Sequence, residues 1–309
     1  MARGGRGGRG GRGGGSGGQS REITVSKKVS WLLRHGAEKE GLTLGPGGYV
    51  NVQDVLNTRT LRSLKVTFDE LRALVATNDK QRFSLIPASA APPSTSTTST
   101  TSAPPPANDS STTATNPATT DLAPIPPNPN LANPDLRPAS PADPSTFLIR
   151  ANQGHSIAVA EEGLLEPLTL DGPLPRIVVH GTTHAAWPKI LASGGMKRMT
   201  RNHVHFAMGL PAGLQPLEGE GERAEEGGGE IAHVKSGIRA SSSVLIYLDL
   251  EKAMRAGLRF WRSENGVVLC EGDGEGVIGV EFFARVEERR KGLGVLMRDG
   301  VLVKDLEGV

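Results

Sequence analysis

The sequence predicts an α+β protein built from two folded lobes. Three observations carry that expectation. Helical periodicity dominates residues 22–87, whereas short apolar runs bounded by turn residues dominate 146–287. Between them, residues 88–145 are almost wholly Ala, Pro, Ser, Thr and Asn. The composition agrees. With 40 Gly, 22 Pro and 4% aromatic residues among 309, a normal core must coexist with segments that bury nothing.

Residues 1–21 set Arg3, Arg6, Arg9, Arg12 and Arg21 among glycines, with no acid before Glu22. Glycine at that density costs too much backbone entropy to fold. Such an arm suits RNA phosphates and bases, and equally suits a solubilising tail. In 22–87, Val25, Val29, Leu32 and Leu33 recur at helical spacing, with Thr24 as cap and Gly36 as stop. Gly47-Gly48 turns the chain into Tyr49-Val50, and Asn51 caps a short helix through Val55 and Leu56. Thr67-Phe68-Asp69-Glu70 is a capping box opening a helix with Phe68, Leu71, Leu74 and Val75 on one face. Residues 82–86 alternate as a strand. Three short helices and a hairpin strand suggest a winged-helix-like module.

Residues 88–145 read as a flexible, partly polyproline-II insertion, far longer than an ordinary loop. Beyond it, strands are expected at 147–150, 177–180, 203–206, 244–248, 267–269 and 277–283. Helices are expected near 185–193 and 250–256, the second ending at Gly257. Residues 218–230 are acidic and Gly-rich, as in a surface loop. Residues 288–309 read as an extension, an amphipathic strand or helix outside the core.

The single cysteine, Cys270, excludes an intrachain disulfide framework and a Cys-based zinc cluster. It lies in the run Val267-Val268-Leu269-Cys270, as a small buried side chain would. No apolar stretch approaches the ~20 residues of a membrane span, and no secretory h-region is present. The expectation is a soluble intracellular protein of the nucleus and/or cytoplasm. A net charge of +2 names no partner by itself. There is no GxxxxGK[ST] and no GxSxG, and the Gly272–Gly276 stretch carries acids that would repel a pyrophosphate.

Seven polar clusters lie beside apolar runs. Leu33-Arg34-His35-Gly36 closes a helix, where cations suit the dipole and an Arg–His pair also suits a phosphate. Asn78 to Phe83 runs through Lys80 and Arg82, which share a face if the strand alternation starts there. Ile149 to Ser156 brings Asn152, Gln153 and His155 around Gly154. Val178 to Thr182 delivers His180 beside Gly181, where a ligand can approach the backbone. Arg201 to Phe206 puts His203 and His205 on one face. Ser236 to Arg239 and Phe260, Ser263, Asn265 and Gly266 precede strands. A metal site built on these histidines is not expected, because His180 to His184 lacks the glutamate and the helix of a zinc-protease motif.

Taken together and in order, the clusters resemble the RNA 2′-phosphotransferase family of tRNA-splicing enzymes, the Tpt1/KptA type. The matching stretches are SKKVSWLLRHGAEKEGL (26–42), GYVNVQDVL (48–56), NDKQRFSL (78–85), IRANQGHSI (149–157), VVHGT (178–182), RNHVHFA (201–207), SGIRASSSVLIYLD (236–249) and GLRFWRSENGVVLCEG (257–272). The resemblance implies a winged-helix-like N-terminal lobe and an ADP-ribosyltransferase-like β-rich lobe. It implies ligated tRNA, or other RNA, carrying an internal splice-junction 2′-phosphate, with NAD⁺ as co-substrate and no metal.

In the implied scheme, 2′-phospho-ADP-ribosylated RNA is resolved to 2′-OH RNA, nicotinamide and ADP-ribose 1″,2″-cyclic phosphate. The family's catalytic set falls on Arg34, His35, Arg82 and Arg239. His180, Gly181 and Thr182 match the NAD⁺-holding strand, and Asn152, Gln153, His155, Ser156, His205, Ser263 and Asn265 match pocket residues. The strands flanking 88–145 are expected to pair as a hairpin with that insertion at its tip, and the protein is expected to act as a monomer. Two alternatives stay open: an ADP-ribosyltransferase acting on protein or nucleic-acid ends, for which Glu264 is the available glutamate, and a non-catalytic RNA-binding module.

Overall fold

The computed structural model describes residues 20–78, 80–92, 142–210, 238–239 and 241–306. The Arg/Gly arm through residue 19, residues 93–141 of the insertion, the acidic 218–230 segment, Ser236 and Gly237 lie outside the described residues.

Helix α1 runs Arg21–Trp31. Its cap is Ser20, whose Oγ accepts from Ile23 N at 3.4 Å, and not Thr24, which lies one turn inside. Arg21 therefore belongs to the first lobe rather than to the arm. Its guanidinium donates to both carboxylate oxygens of Glu70, at 2.7 and 2.8 Å, and to Leu64 O at 3.0 Å. After Trp31 the helix widens into a π-turn, Leu32–Gly36. Gly36 leaves room there for the far edge of the Trp31 ring, which would lie 2.5 Å from an added Cβ and would have to shift.

Three further helices follow: α2 (Val52–Asn57), α3 (Arg59–Ser63) and α4 (Phe68–Thr77). Asn51 Oδ1 accepts from Gln53 N at 2.8 Å, and Thr67 Oγ1 accepts from Glu70 N at 3.2 Å, so both expected caps form.

The helices pack on a three-stranded antiparallel sheet of β1 (Val50–Asn51), β2 (Phe83–Pro87) and β3 (Phe147–Ala151), in the order β1-β3-β2. Val29, Leu33, Val52, Leu61, Leu71, Phe83 and Ile149 are buried together in this core. Strand β3, counted with the second lobe from the sequence, is the central strand of the first. Its register with β2 runs from Phe83↔Ala151 to Pro87↔Phe147, so the insertion leaves and re-enters at paired strand ends.

The second lobe is built on β4 (Leu165–Pro167), β5 (Val179–Thr182), β7 (Val204–Ala207), β8 (Val244–Leu248), β9 (Phe260–Ser263), β10 (Val267–Cys270), β12 (Phe283–Glu288), β13 (Gly294–Arg298) and β14 (Val301–Leu302). Among the described residues these form one antiparallel sheet, in the order β14-β13-β12-β8-β5-β7-β10-β9-β4. A separate pair joins β6 (Gly195–Lys197) to β11 (Val277–Gly279). Helices α5 (Trp187–Ala192) and α6 (Leu250–Arg255) accompany them, the latter stopping at Gly257 with φ +95°.

Alternation along the strands sorts the two faces. Phe206, Ile246, Phe260, Val268 and Phe283 join Trp187 in one core, and Val179, Ala207, Leu245 and Tyr247 form the other. The expected continuous strand at 277–283 is broken. A 3₁₀ turn at Val280–Phe282 separates β11, which pairs with β6, from β12, which pairs with β8. The C-terminal extension is sheet, and Leu296 and Met297 are buried in the main core, so this segment is not outside it.

Glu288 ties the β12–β13 turn. Its carboxylate accepts from the backbone N of Arg290, Lys291 and Leu293, at 2.6, 2.8 and 3.1 Å, and pairs with His184 Nε2 at 2.8 Å. Cys270 is buried and unpaired in a disulfide, and burial pushes its thiol up to about 12. Among the described residues no helix is long and apolar enough to cross a membrane.

Candidate functional site

The two lobes meet at a cleft lined with cations. The π-turn of the first lobe presents Arg34 and His35. The loop after β3 wraps them: Ser156 N donates to Arg34 O at 3.0 Å, and Ser156 Oγ lies 2.8 Å from His35 Nδ1. Gly154, whose φ of +89° favours glycine, lies beside the guanidinium, where an added Cβ would make an ordinary contact at 3.6 Å. Arg34 Nε and Nη2 are buried without a hydrogen-bond partner among the described residues.

Lys80 and Arg82 arrive on a turn that precedes β2, not on alternating positions of the strand. Gln81 there has φ +44°. The turn is held from several sides. Asn78 Oδ1 accepts from Arg82 N at 3.3 Å and from Nη1 at 3.4 Å. Asn152 N donates to Arg82 O at 2.9 Å, and its Nδ2 donates to Gln81 O at 2.9 Å. From the second lobe, Asn265 Nδ2 donates to Lys80 O at 2.9 Å.

The second lobe adds Arg201 before β7 and Arg239 before β8. Gly181 seats the latter. A Cβ at Gly181 would meet Ser242 Oγ at 2.5 Å and Ile238 Cγ2 at 2.8 Å, so the close approach over this glycine is made by the chain's own Arg239-bearing turn. That turn is closed by Ser242 N donating to Arg239 O at 2.9 Å, and Ser243 N donates to Thr182 O at 2.9 Å.

These cations act on one another. Burial lowers Arg34 to about 10, helped by the charges of Arg82 and Arg201; it still keeps its proton at neutral pH. Burial also lowers Lys80, with Arg82 and Arg239 adding to it, and lowers Arg201, with Arg239 adding. Arg82 is lowered by burial. His35 is lowered by burial and then by Arg34 and Arg201. A site where positive groups depress each other gains when an anion enters.

Beside the cations lie neutral imidazoles. Burial pulls His155 down to about 4, and Arg34 contributes next. Burial holds His205 well below its ordinary value, with Arg201 next. Both leave a buried Nε2 without a hydrogen-bond partner among the described residues. His180 Nδ1 lies 2.8 Å from His205 O, so the nitrogen facing that carbonyl is the donor and Nε2 of the neutral ring is an acceptor. Burial lowers His180 as well, against that hydrogen bond.

The structure thus gathers Arg34, His35, Arg82, Arg239, His155, Ser156, His180 and His205, and Gln153 is half-buried on the loop that carries His155. Asn152, Ser263 and Asn265 bond within the protein: Ser263 Oγ lies 2.9 Å from Asn265 Oδ1 and accepts from Val267 N at 3.1 Å. Two cations of the cleft were not among the expected site residues, Lys80 and Arg201. Arg201 opens the stretch RNHVHF, where the two histidines are the more conspicuous signal.

His203 turns from the cleft to Glu161 at 3.1 Å and packs on Trp261, with ring centroids 5.4 Å apart. Among the described residues, Glu161, His203 and Glu271 bring metal-capable atoms within 4.8 Å of one another, though Glu271 also accepts from Arg259 at 2.8 Å. Glu264, the glutamate needed by the protein-modifying alternative, is engaged by Arg150 at 2.9 Å and Ser84 at 2.6 Å.

Residues 20–272 match the family model described as RNA 2′-phosphotransferase, Tpt1/KptA family. The tRNA 2′-phosphotransferase 1 of Danio rerio is 34% identical over 269 residues, 87% of this chain and 87% of its own length. That of Homo sapiens is 30% identical over 273 residues, covering 88% of this chain and 78% of the relative. The tRNA 2′-phosphotransferase of Saccharomyces cerevisiae is 28% identical over 252 residues, 81% of this chain and 78% of its own. With the first lobe, the second lobe as far as β10 and every cleft residue from Arg34 to Asn265 inside the matched span, this chain belongs to the Tpt1/KptA family of RNA 2′-phosphotransferases.

Proposed function

We propose that the protein removes the splice-junction 2′-phosphate from ligated tRNA, with NAD⁺ as second substrate. The observation that carries this reading is the buried, unpartnered edge of the Arg34 guanidinium, set among His35, Lys80, Arg82, Arg201 and Arg239. A guanidinium edge with two free nitrogens matches two oxygens of a phosphate. On this reading the first lobe is the winged-helix-like half that holds the RNA phosphate, and the second is the ADP-ribosyltransferase-like half.

The fit to NAD⁺ rests on His155 and His205. Their unpartnered buried Nε2 atoms suit ribose hydroxyls, which both donate and accept. His180 and Thr182 extend that wall, and Arg239 supplies charge for a pyrophosphate. When bound, NAD⁺ supplies an electrophilic ribose carbon whose leaving group is neutral nicotinamide. Arg34 and His35 hold and orient the 2′-phosphate, with His35 fixed by Ser156. Arg82 and Arg201 stabilise the negative charge that builds on phosphorus as it is passed on. His35, lowered by burial and its arginine neighbours, is neutral at pH 7 and can accept a proton.

The test is an oligoribonucleotide with one internal 2′-phosphate, incubated with and without NAD⁺. The expected products are 2′-OH RNA, nicotinamide and ADP-ribose 1″,2″-cyclic phosphate, formed only with NAD⁺. Nicotinamide release without loss of the RNA phosphate would overturn the proposal in favour of an ADP-ribosyltransferase.

A further inference from the structure

The phosphate cluster opens sideways into an unexplained groove. From Arg34, His35 and Arg82 a space of about 690 Å³ continues along α1 toward the C-terminal end of α4. Trp31, Lys27 and Ile23 form its α1 wall, and Leu74 and Thr77 face them. Trp31 is 37% exposed and Ile23 47%; among the described residues of the first lobe these are the large apolar side chains left open, and both line this groove. Trp31 ends α1 and Arg34 lies in the π-turn that follows, and both line this groove, so the indole and the phosphate-binding guanidinium are neighbours along it. The ring is held against Gly36, where any side chain would collide with it at 2.5–2.8 Å. Glu22, which accepts from Thr77 Oγ1 at 3.5 Å, brings the one acid of the lining among the described residues.

A fixed, half-open indole beside a phosphate site, with a lysine one turn further along, has the chemistry of a single-stranded RNA track. We infer that this groove takes the nucleotide flanking the 2′-phosphorylated one, with its base stacked on Trp31 and its phosphodiester drawn to Lys27. The inference rests on the proposed phosphate site, and extends it to a subsite that reads the RNA on one side of the junction. Stacking tolerates every base, so the subsite selects for the presence of a neighbouring base and not for its sequence.

The experiment compares trinucleotides carrying the 2′-phosphate on the central residue. In one the flanking nucleotides are intact; in two others the 5′ or the 3′ neighbour is abasic. For the wild-type protein, removal of the base on one side should lower kcat/KM about tenfold or more. In Trp31→Ala that ratio should fall to about 1, Trp31→Phe should restore most of it, and Lys27→Ala should raise KM for all three RNAs. Trp31→Leu keeps apolar cover over Gly36 without a stacking face, and should give the Ala result if the Ala variant does not fold. A ratio near 1 in the wild type, or one unchanged in Trp31→Ala and Trp31→Leu, would overturn the subsite. Failure of the wild type to act on any of the three RNAs would instead sink the proposed phosphate-removal reaction.

Discussion

Arg150 Nη2 donates to Glu264 Oε2 at 2.9 Å and thereby ties the central strand of the small sheet to the turn between β9 and β10 of the large one. Ser84 Oγ lies 2.6 Å from the same carboxylate and 2.6 Å from Asn152 Oδ1. Arg150 also donates to Gly47 O at 3.0 Å and lies over the Tyr49 ring, 4.6 Å from its centroid. The cations of the cleft are divided between the lobes, so this pair helps set the distance between them.

Glu264→Ala should therefore cost more than an ordinary surface change. It leaves the buried Arg150 charge without its acid, which we expect to cost about 1–3 kcal/mol. Glu264→Gln keeps an acceptor and should cost less. Thermal unfolding measures both; an unchanged melting temperature in the Ala variant would show that the pair does not hold the lobes.

Arg82 and Arg239 should fail differently. If Arg82 serves the phosphorus, Arg82→Ala should lose ~10²–10³ in the later, more highly charged step. RNA that has reacted with NAD⁺ but still carries its phosphate should then accumulate. Arg239→Ala should impair the first, nicotinamide-releasing step. Resolving labelled RNA over time checks this, and total loss of reaction in Arg82→Ala without an accumulating species would refute the division.

The insertion should be removable. Because Pro87 pairs with Phe147, replacing residues 93–141 by a short Gly-containing turn joins strand ends that already meet. We expect turnover with saturating RNA to stay within about twofold, since closing a shorter loop costs less entropy. A folded variant with large loss of turnover would contradict this.

Glu288 should make the protein acid-sensitive. Burial alone would raise its carboxyl, but the backbone N–H groups of Arg290, Leu293 and Lys291, with His184, outweigh burial and hold it at about 2. A depressed carboxyl stabilises the fold above its unfolded value, near 4.5, and loses that contribution as pH falls toward 2. Glu288→Gln should cost about 3 kcal/mol at pH 7, and the gap from wild type should shrink between pH 5 and pH 3. Urea unfolding across that range reports it; a gap independent of pH would count against the assignment.

What was legible in the sequence was what local chemistry decides. Asn51 and Thr67 cap the expected helices because a side chain reaches a backbone N–H two or three residues on. Strand β8 has the expected bounds because its five residues are apolar throughout. What was not legible depends on partners far away in the chain. Strands β4 and β14 are short edge strands defined by the neighbours they pair with. The break at Val280–Phe282 reflects two strands bound to different sheets, which an unbroken apolar run conceals. Gly181 pointed to a close approach, but only the fold shows that Ser242 and Ile238 make it. Arg201 opened a cluster in which only the histidines were singled out, and the cleft places it near Arg34 and Arg239.

The order of strands in the small sheet has a consequence for synthesis. Strands β1 and β2 are separated by β3 and never touch as neighbours. On the ribosome both wait, unpaired on the sides that will later meet it, until β3 emerges about 60 residues after β2; at roughly 5–20 residues per second that is ~3–12 s. The first lobe thus cannot close until the insertion has been translated, although its helices are made long before, and in that interval its unpaired strand edges are open to a chaperone.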